Sequence, residues 1–323
     1  MNAVAYLYDA EGEDQEVAIS DTLIKKLSGQ QLLWIDIPVK DKKALQQVAD
    51  VLKLHNDSVK MAIESPGRPR LLNYGHYFQF GVMSLNSRTR SKLETNPVEF
   101  ICGDSFVVTV HDQEVSFLKD FREQDRGETK IGAMPASALL AAMLDWHLSG
   151  FFQALEHLEM LVDKIDDEIL ERRVDKEYLT RLVHIRKRLS QLRRILLPHR
   201  EVFFGLTRPD FAILMDEGTS THFQALNSRF DRVVDAHGNA RELVLGSFNL
   251  FTSRTAESTN DFIKALTFTT FLLGLVGAVA GIFGMNFETS VFTSGSVGFW
   301  SVVFSLLAIV AAAITLAKHK EWI

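Results

Sequence analysis

The sequence predicts an α/β domain, then long helices, then two C-terminal membrane-spanning helices. Three observations set this order. Runs rich in β-branched and aromatic residues are confined to the first 130 residues. From Pro135 onward apolar residues recur at helical spacing. The chain then closes on two charge-free apolar runs, Ala265–Phe283 and Val297–Ala317. Each is about 20 residues, the length a helix needs to cross the hydrocarbon of a bilayer.

In chain order, Val4–Tyr8, Leu32–Ile37, Tyr77–Leu85 and Val98–His111 read as strands. Lys40–Leu54 and Glu114–Glu123 read as helices, and the charged stretch Gln124–Lys130 as a boundary loop. Residues 1–130 are therefore expected to form the α/β domain. Residues 131–262 are expected to form a stalk of long helices, with Ala136–Glu171 and Lys176–Leu197 as amphipathic members. Ser220–Phe283 reads as one helix of roughly 64 residues, about 95 Å long at 1.5 Å per residue. Gly238 and Gly246 interrupt it at about 1 kcal/mol each. Residues 263–323 are the expected membrane domain: a first span at about 263–283, a loop at 284–296 and a second span at about 297–317.

Composition narrows the function classes. A net charge of −6 argues against a general nucleic-acid binder, and the basic residues of Arg181–Arg200 read as a helix surface. Cys102 is the single cysteine, so no disulfide can form within the chain, which fits a reducing cytosol. Met1–Asp9 lacks a signal sequence. The loop after the first span carries one charge, Glu288, whereas Lys264 and Lys318-His319-Lys320 flank the spans on the other side. Basic flanks stay inside, so both termini are expected in the cytoplasm. Trp300 and Trp322 suit the two interfaces. The acidic residues Asp163, Asp166, Asp167, Glu168 and Glu171 read as a solvated helix face. His147 and His157 are too far apart in sequence to pair on one helix face. No HExxH, GxSxG, P-loop or dinucleotide fingerprint is present, and no enzyme is expected.

The first span carries a second pattern. Asn260, Ile263, Thr267, Thr270, Gly274, Gly277, Gly281 and Gly284 are spaced 3, 4, 3, 4, 3, 4, 3, a heptad seam made almost entirely of small or polar residues. Such a seam serves either tight helix packing, with Gly277 and Gly281 as GxxxG, or a pore wall. Backwards, the same steps reach Ala256, Ser253, Asn249 and Gly246. A self-packing coiled coil would place leucine or isoleucine there, so small polar residues fit a water-filled throat better.

Gly284-Met285-Asn286 closes the first span, just before a short loop and a second span. In that setting it resembles the signature of the CorA family of divalent cation channels and transporters. Asn260–Thr267 is similar to the family's entry into its first span, and Lys318–Ile323 to its basic, tryptophan-containing tail. Leu192–Val202, Arg68-Pro69-Arg70 and Trp34-Ile35-Asp36 resemble landmarks of its soluble domain.

The resemblance implies a funnel-shaped homopentamer in a bacterial inner membrane, with the first spans around a central pore. It implies a polar ring of Asn286 at the outer mouth, beside Gly284 and Met285. That ring would hold a hydrated metal ion through its water, as suits Mg²⁺, which gives up water slowly. Copies of Glu288 would concentrate cations there. Asn260 matches the family's inner polar ring, and Ile263 and Leu266 its hydrophobic constriction. Thr267, Thr270, Gly274, Gly277 and Gly281 would line the pore. Expected partners are copies of the same chain, lipid and the transported ion, without nucleic acid or a resident cofactor. The ion implied is Mg²⁺, with Co²⁺ and Ni²⁺ as further cargo.

Two departures keep a ZntB-like zinc transporter, possibly coupled to protons, as an alternative. Phe287–Phe292 replaces the Met-Pro-Glu-Leu stretch of magnesium channels. Gln224–Arg229, with Ala225, lacks the acid found at a subunit contact in those channels. A third reading is a membrane-anchored sensor or scaffold without transport, which would tolerate Gly274→Leu and Asn286→Ala.

Overall fold

A computed structural model describes the chain except residues 1–2, 25–26, 28, 39–40, 65–67, 86–92, 125–129, 172–174, 213–216, 286–294 and 320–323. The strands are β1 (Val4–Asp9), β2 (Gln15–Val17), β3 (Gln31–Pro38), β4 (Arg70–Asn73), β5 (Tyr77–Leu85), β6 (Thr95–Gly103) and β7 (Phe106–His111). The helices among them are α1 (Asp21–Ile24), α2 (Lys42–Leu52), α3 (Asn56–Glu64) and α4 (Ser116–Glu123). Then follow α5 (Ala136–Glu171), α6 (Lys176–Leu196), α7 (Arg200–Gly205), α8 (Pro209–Ala212), α9 (Glu217–Phe283) and α10 (Gly295–His319). The chain divides into two compact units, Met1–Lys164 with Thr180–Gly246, and Ile165–Leu179 with Ser247–Ile323.

The first unit is built on one sheet in the order β2-β1-β3-β7-β6-β5-β4. Among the described strands only β3 and β7 run parallel, in the register Trp34↔Val107. The stretch expected as one strand, Val98–His111, is a hairpin instead, with Val98 opposite His111. The chain turns at Asp104-Ser105, because Gly103 lets the Phe106 ring fold back: a Cβ at 103 would lie 2.4 Å from it. The short elements β2, β4, α1 and α3 were not among the sequence expectations.

One sheet face buries Leu33, Ile35, Ile101, Val108 and Val110 against α2 and α3. Helix α2 starts where the Asp41 carboxylate accepts the N–H groups of Lys43 and Ala44, and it ends at Lys53 in the left-handed conformation (φ 55°). Its Ala44, Leu45, Val48, Ala49 and Leu52 make the buried stripe.

The other face is aromatic. Phe80 and Phe100 stack with centroids 5.1 Å apart, and Phe117 of α4 lies 6.4 Å beyond. His147 of α5 packs on Phe117 and Phe151, each at 5.3 Å. His199, in the turn between α6 and α7, lies 5.3 Å from His147. Its Nε2 accepts the N–H of Met83 at 2.9 Å, and Nδ1 lies 2.8 Å from the Ile195 carbonyl. Those bonds tie β5 to the helical layer and set the neutral tautomer. His147, read from the sequence as too far from His157 to pair on one helix face, has its histidine neighbour in the turn after α6 instead.

The family-like landmarks are structural. Trp34 Nε1 donates to Thr109 Oγ1, Thr109 Oγ1 donates to Asp36, and His111 Nε2 reaches Asp36 at 3.1 Å. Arg70 pairs with the buried Glu99 at 3.5 Å.

In the second unit, Ser247 of α9 donates to Asp166 at 2.8 Å, and Arg254 donates to the Leu170 carbonyl at 2.7 Å. Both α9 and α10 contain stretches long and apolar enough to cross a membrane.

Candidate ion pathway on the long helix

Lipid leaves backbone groups no partner but each other, so the apolar end of the chain folds as helices. Helix α9 runs unbroken through Gly238, Gly246, Gly274, Gly277 and Gly281. It ends where the Gly284 N–H donates to Ala280 O at 2.9 Å and the Met285 N–H to Ile282 O at 3.2 Å. Asn286 and Glu288 lie outside the described residues.

The other expected site residues come to one side of α9. At about 100° per residue, Asn260, Ile263, Leu266, Thr267, Thr270, Gly274, Gly277 and Gly281 fall within roughly one third of the circumference. All are exposed in the single chain, including the apolar Ile263 (53%) and Leu266 (55%). A Cβ added at Gly274, Gly277 or Gly281 would meet nothing within 4 Å. The stripe continues, still exposed, through Ala256, Ser253, Asn249 and Gly246.

Burial falls on the opposite side. The half-buried positions of the first span are Ala265, Phe268, Leu272, Val276 and Val279. Helix α10 has a matching half-buried row at Gly298, Val302, Leu306, Val310 and Ala313. Ala280, Phe283 and Gly284 share with Gly298, Val302 and Leu306 a cavity of about 410 Å³. The heptad seam read from the sequence is the bare side, and Phe268, Leu272, Val276 and Val279, which lie off the seam, are on the half-buried side. The signal available was side-chain size: the half-buried row holds Phe268, Leu272 and two valines, the bare stripe three glycines.

Chemically the stripe offers hydroxyl and amide oxygens between apolar stretches. The Thr270 hydroxyl donates to the Leu266 carbonyl at 2.8 Å. Near the polar end, Lys264 pairs with Asp261 at 2.9 Å and Arg254 with Glu257 at 2.7 Å. These charges are thus engaged along the helix itself. No group of three or more metal-ligating side chains occurs among the described residues. A cation on this surface would therefore meet oxygens or its own water rather than a preformed protein cage.

Comparison with known proteins agrees with this architecture. The family model described as CorA-like Mg²⁺ transporter protein matches residues 29–319. The cobalt/magnesium transport protein CorA of Thermotoga maritima is 25% identical over 294 residues, covering 90% of this chain and 83% of that protein. A zinc transport protein, ZntB of Pectobacterium carotovorum, is 24% identical over 280 residues, covering 83% and 81%. The solved structure of the CorA magnesium transporter from Methanocaldococcus jannaschii superposes with a TM-score of 0.72 at 18% identity, covering 100% of this chain and 99% of that one. With the family model spanning β3 to β7, the long helix and both apolar stretches, the chain belongs to the CorA family of divalent-cation transport proteins.

Proposed function

We propose that this chain is one subunit of a homopentameric pathway for a divalent cation, with the bare stripe of α9 turned to the central axis. One observation carries the reading. A stripe of small and polar residues stays exposed on α9, opposite its half-buried face, over the whole length of a membrane span. Facing lipid, the hydroxyl oxygens of Thr267 and Thr270 would have acceptor capacity left unmet; facing water between copies, they are solvated. Residues 1–130 and 131–262 then form the domain and stalk on the cytoplasmic side, both termini lie there, and 263–323 cross the inner membrane.

In this arrangement Gly284-Met285-Asn286 forms the outer mouth, and the Asn286 amides accept hydrogen bonds from the hydrated ion. Glu288 raises the local cation concentration. Ile263 and Leu266 narrow the inner end, where an apolar constriction gates by losing its water. Glycines in place of bulky residues leave the middle wide enough for hydrated ions. The membrane potential drives entry with about 4.6 kcal/mol per 100 mV for a divalent ion.

Mg²⁺ is the first choice of cargo, with Co²⁺ and Ni²⁺ beside it. Zn²⁺, with or without proton coupling, is the second reading, favoured by Phe287–Phe292 after the motif and by the acid-free stretch Gln224–Arg229. The test is uptake of Mg²⁺, Co²⁺, Ni²⁺ and Zn²⁺ into liposomes holding the purified protein, with and without a pH gradient. Flux of Mg²⁺ independent of the gradient supports the first reading, and gradient-dependent Zn²⁺ flux the second. Asn286→Ala is expected to abolish most flux or its selectivity; unchanged transport removes Asn286 from the pathway. Absence of flux for every ion overturns both readings.

A further inference from the structure

His55 and His76 come together at one end of the sheet in the first unit, and the pathway makes no use of them. Both are exposed, and their ring centroids are 6.1 Å apart at 42°. We propose that these two imidazoles form a binding site for a late divalent transition-metal ion, Zn²⁺, Ni²⁺ or Co²⁺, that leaves Mg²⁺ unbound.

Three features carry the proposal. The first is proximity: two imidazoles bound at about 2.1 Å to one ion at tetrahedral or cis-octahedral angles hold their ring centres roughly 4.5 to 5.5 Å apart, so closure of about 1 Å by side-chain rotation brings these two into range. The second is rigid presentation, which lowers the cost of bringing two ligands together. His76 sits in the β4–β5 turn, where Gly75 has φ +90°. That turn is closed by the Tyr74 N–H donating to Tyr77 O at 2.9 Å and the Gly75 N–H donating to the Asn73 side chain at 2.8 Å. The Asn73 amide in turn donates to Asp210 O at 3.0 Å. His55 is braced from the other side: its N–H donates to the Tyr77 phenol at 2.9 Å, and its ring stacks on Tyr74 at 5.4 Å. Tyr77 itself is buried and packs edge-on to His76 at 4.8 Å. The backbones of both histidines are thus fixed through one tyrosine.

The third feature is charge. Asp57 stands exposed in the first turn of α3, two residues after His55. Arg70, at the start of β4, is engaged with Glu99 and the Met61 carbonyl. Asp57 thus sets one carboxylate beside the pair, and neutral imidazole selects Zn²⁺, Ni²⁺ and Co²⁺ over Mg²⁺, which prefers oxygen. With two protein ligands, water completes the coordination shell and binding is reversible.

The test uses the full-length protein in detergent. Carbethoxylation of each histidine by diethyl pyrocarbonate is followed by mass spectrometry, with ZnCl₂, NiCl₂ or MgCl₂ at micromolar concentration. Zn²⁺ and Ni²⁺ are expected to slow modification of His55 and His76 together, severalfold, while Mg²⁺ has no effect. The exposed His184 and His222 serve as internal controls and should react at an unchanged rate. In His76→Asn the protection of His55 should disappear, and in His55→Asn that of His76. Persistence of protection in the partner variant, equal protection by Mg²⁺, equal protection of His184, or no protection overturns the site. An unchanged control rate in each variant shows that the fold is intact. The outcome is independent of ion flux.

Discussion

His199 is held neutral by its surroundings. Burial lowers its pKa from the ordinary 6.5 to about 4, and the hydrogen bonds to the Ile195 and Leu196 carbonyls oppose that shift only in part. His147 beside it is lowered as well, first by burial and then by the charge His199 would carry. Between pH 6.5 and about 4 the unfolded chain binds a proton at His199 that the folded chain does not, so stability falls as pH falls through this window. From pH 7 to pH 5 the loss at His199 amounts to about 2 kcal/mol. Thermal unfolding followed by near-ultraviolet circular dichroism should show a lower midpoint at pH 5. His199→Leu should flatten that dependence while costing about 1–3 kcal/mol at pH 7, because the Met83 N–H loses its acceptor. Trp34, Thr109, Asp36 and His111 form a comparable polar chain, and Thr109→Val should cost a similar amount in the same assay by stranding the Trp34 indole N–H. The resemblance had marked Trp34-Ile35-Asp36 without giving a reason. The structure supplies one, a hydrogen-bonded line between parallel strands that are distant in sequence.

Among the elements, those with long uniform patterns were legible. Tyr77–Leu85 and Ala136–Glu171 match their expected limits, and the long helix extends only three residues before the expected Ser220. Short elements were not, because four residues such as β4 carry too little periodicity and take their structure from pairing with β5. The β6–β7 hairpin was hidden for a related reason: Asp104-Ser105 is a two-residue break in a run rich in β-branched and aromatic residues. Within α9, Gly238 is exposed and a Cβ there meets nothing within 4 Å. Gly238→Ala should therefore stabilise the helix by about 0.5–1 kcal/mol, readable as slower hydrogen exchange around it. Gly274→Leu tests the opposite property. The added side chain fits the isolated chain, so folding should survive, but flux should drop steeply as the leucines fill the proposed axis.

For the whole molecule, the bare apolar surface of α9 and α10 demands a cover. Phe262, Phe271, Leu273, Val297, Phe299 and Leu316 are all more than half exposed in the single chain. Large apolar surfaces of this kind are met by lipid, detergent or other copies of the chain. Mass measurement in mild detergent should return five copies per particle; a monomer that still transports would overturn the shared-axis arrangement. Subunit number and ion choice were open in the sequence because both depend on contacts between copies, and hydropathy patterns report only the contrast between apolar and polar.

The Thr270 hydroxyl has consequences on that axis. Its single proton is directed to the Leu266 carbonyl of its own helix, so what it turns outward is lone-pair density. Glycine adds no donor of its own, and the helical N–H groups beside it point along the helix. If the stripe lines the proposed axis, a chloride ion would meet no side-chain hydrogen-bond donor from Thr270 to Gly281, whereas a cation or its hydration water would meet an acceptor at Thr270. Rejection of anions in the middle of the membrane then needs no formal charge there, and it should persist at ionic strengths that screen the acidic mouth.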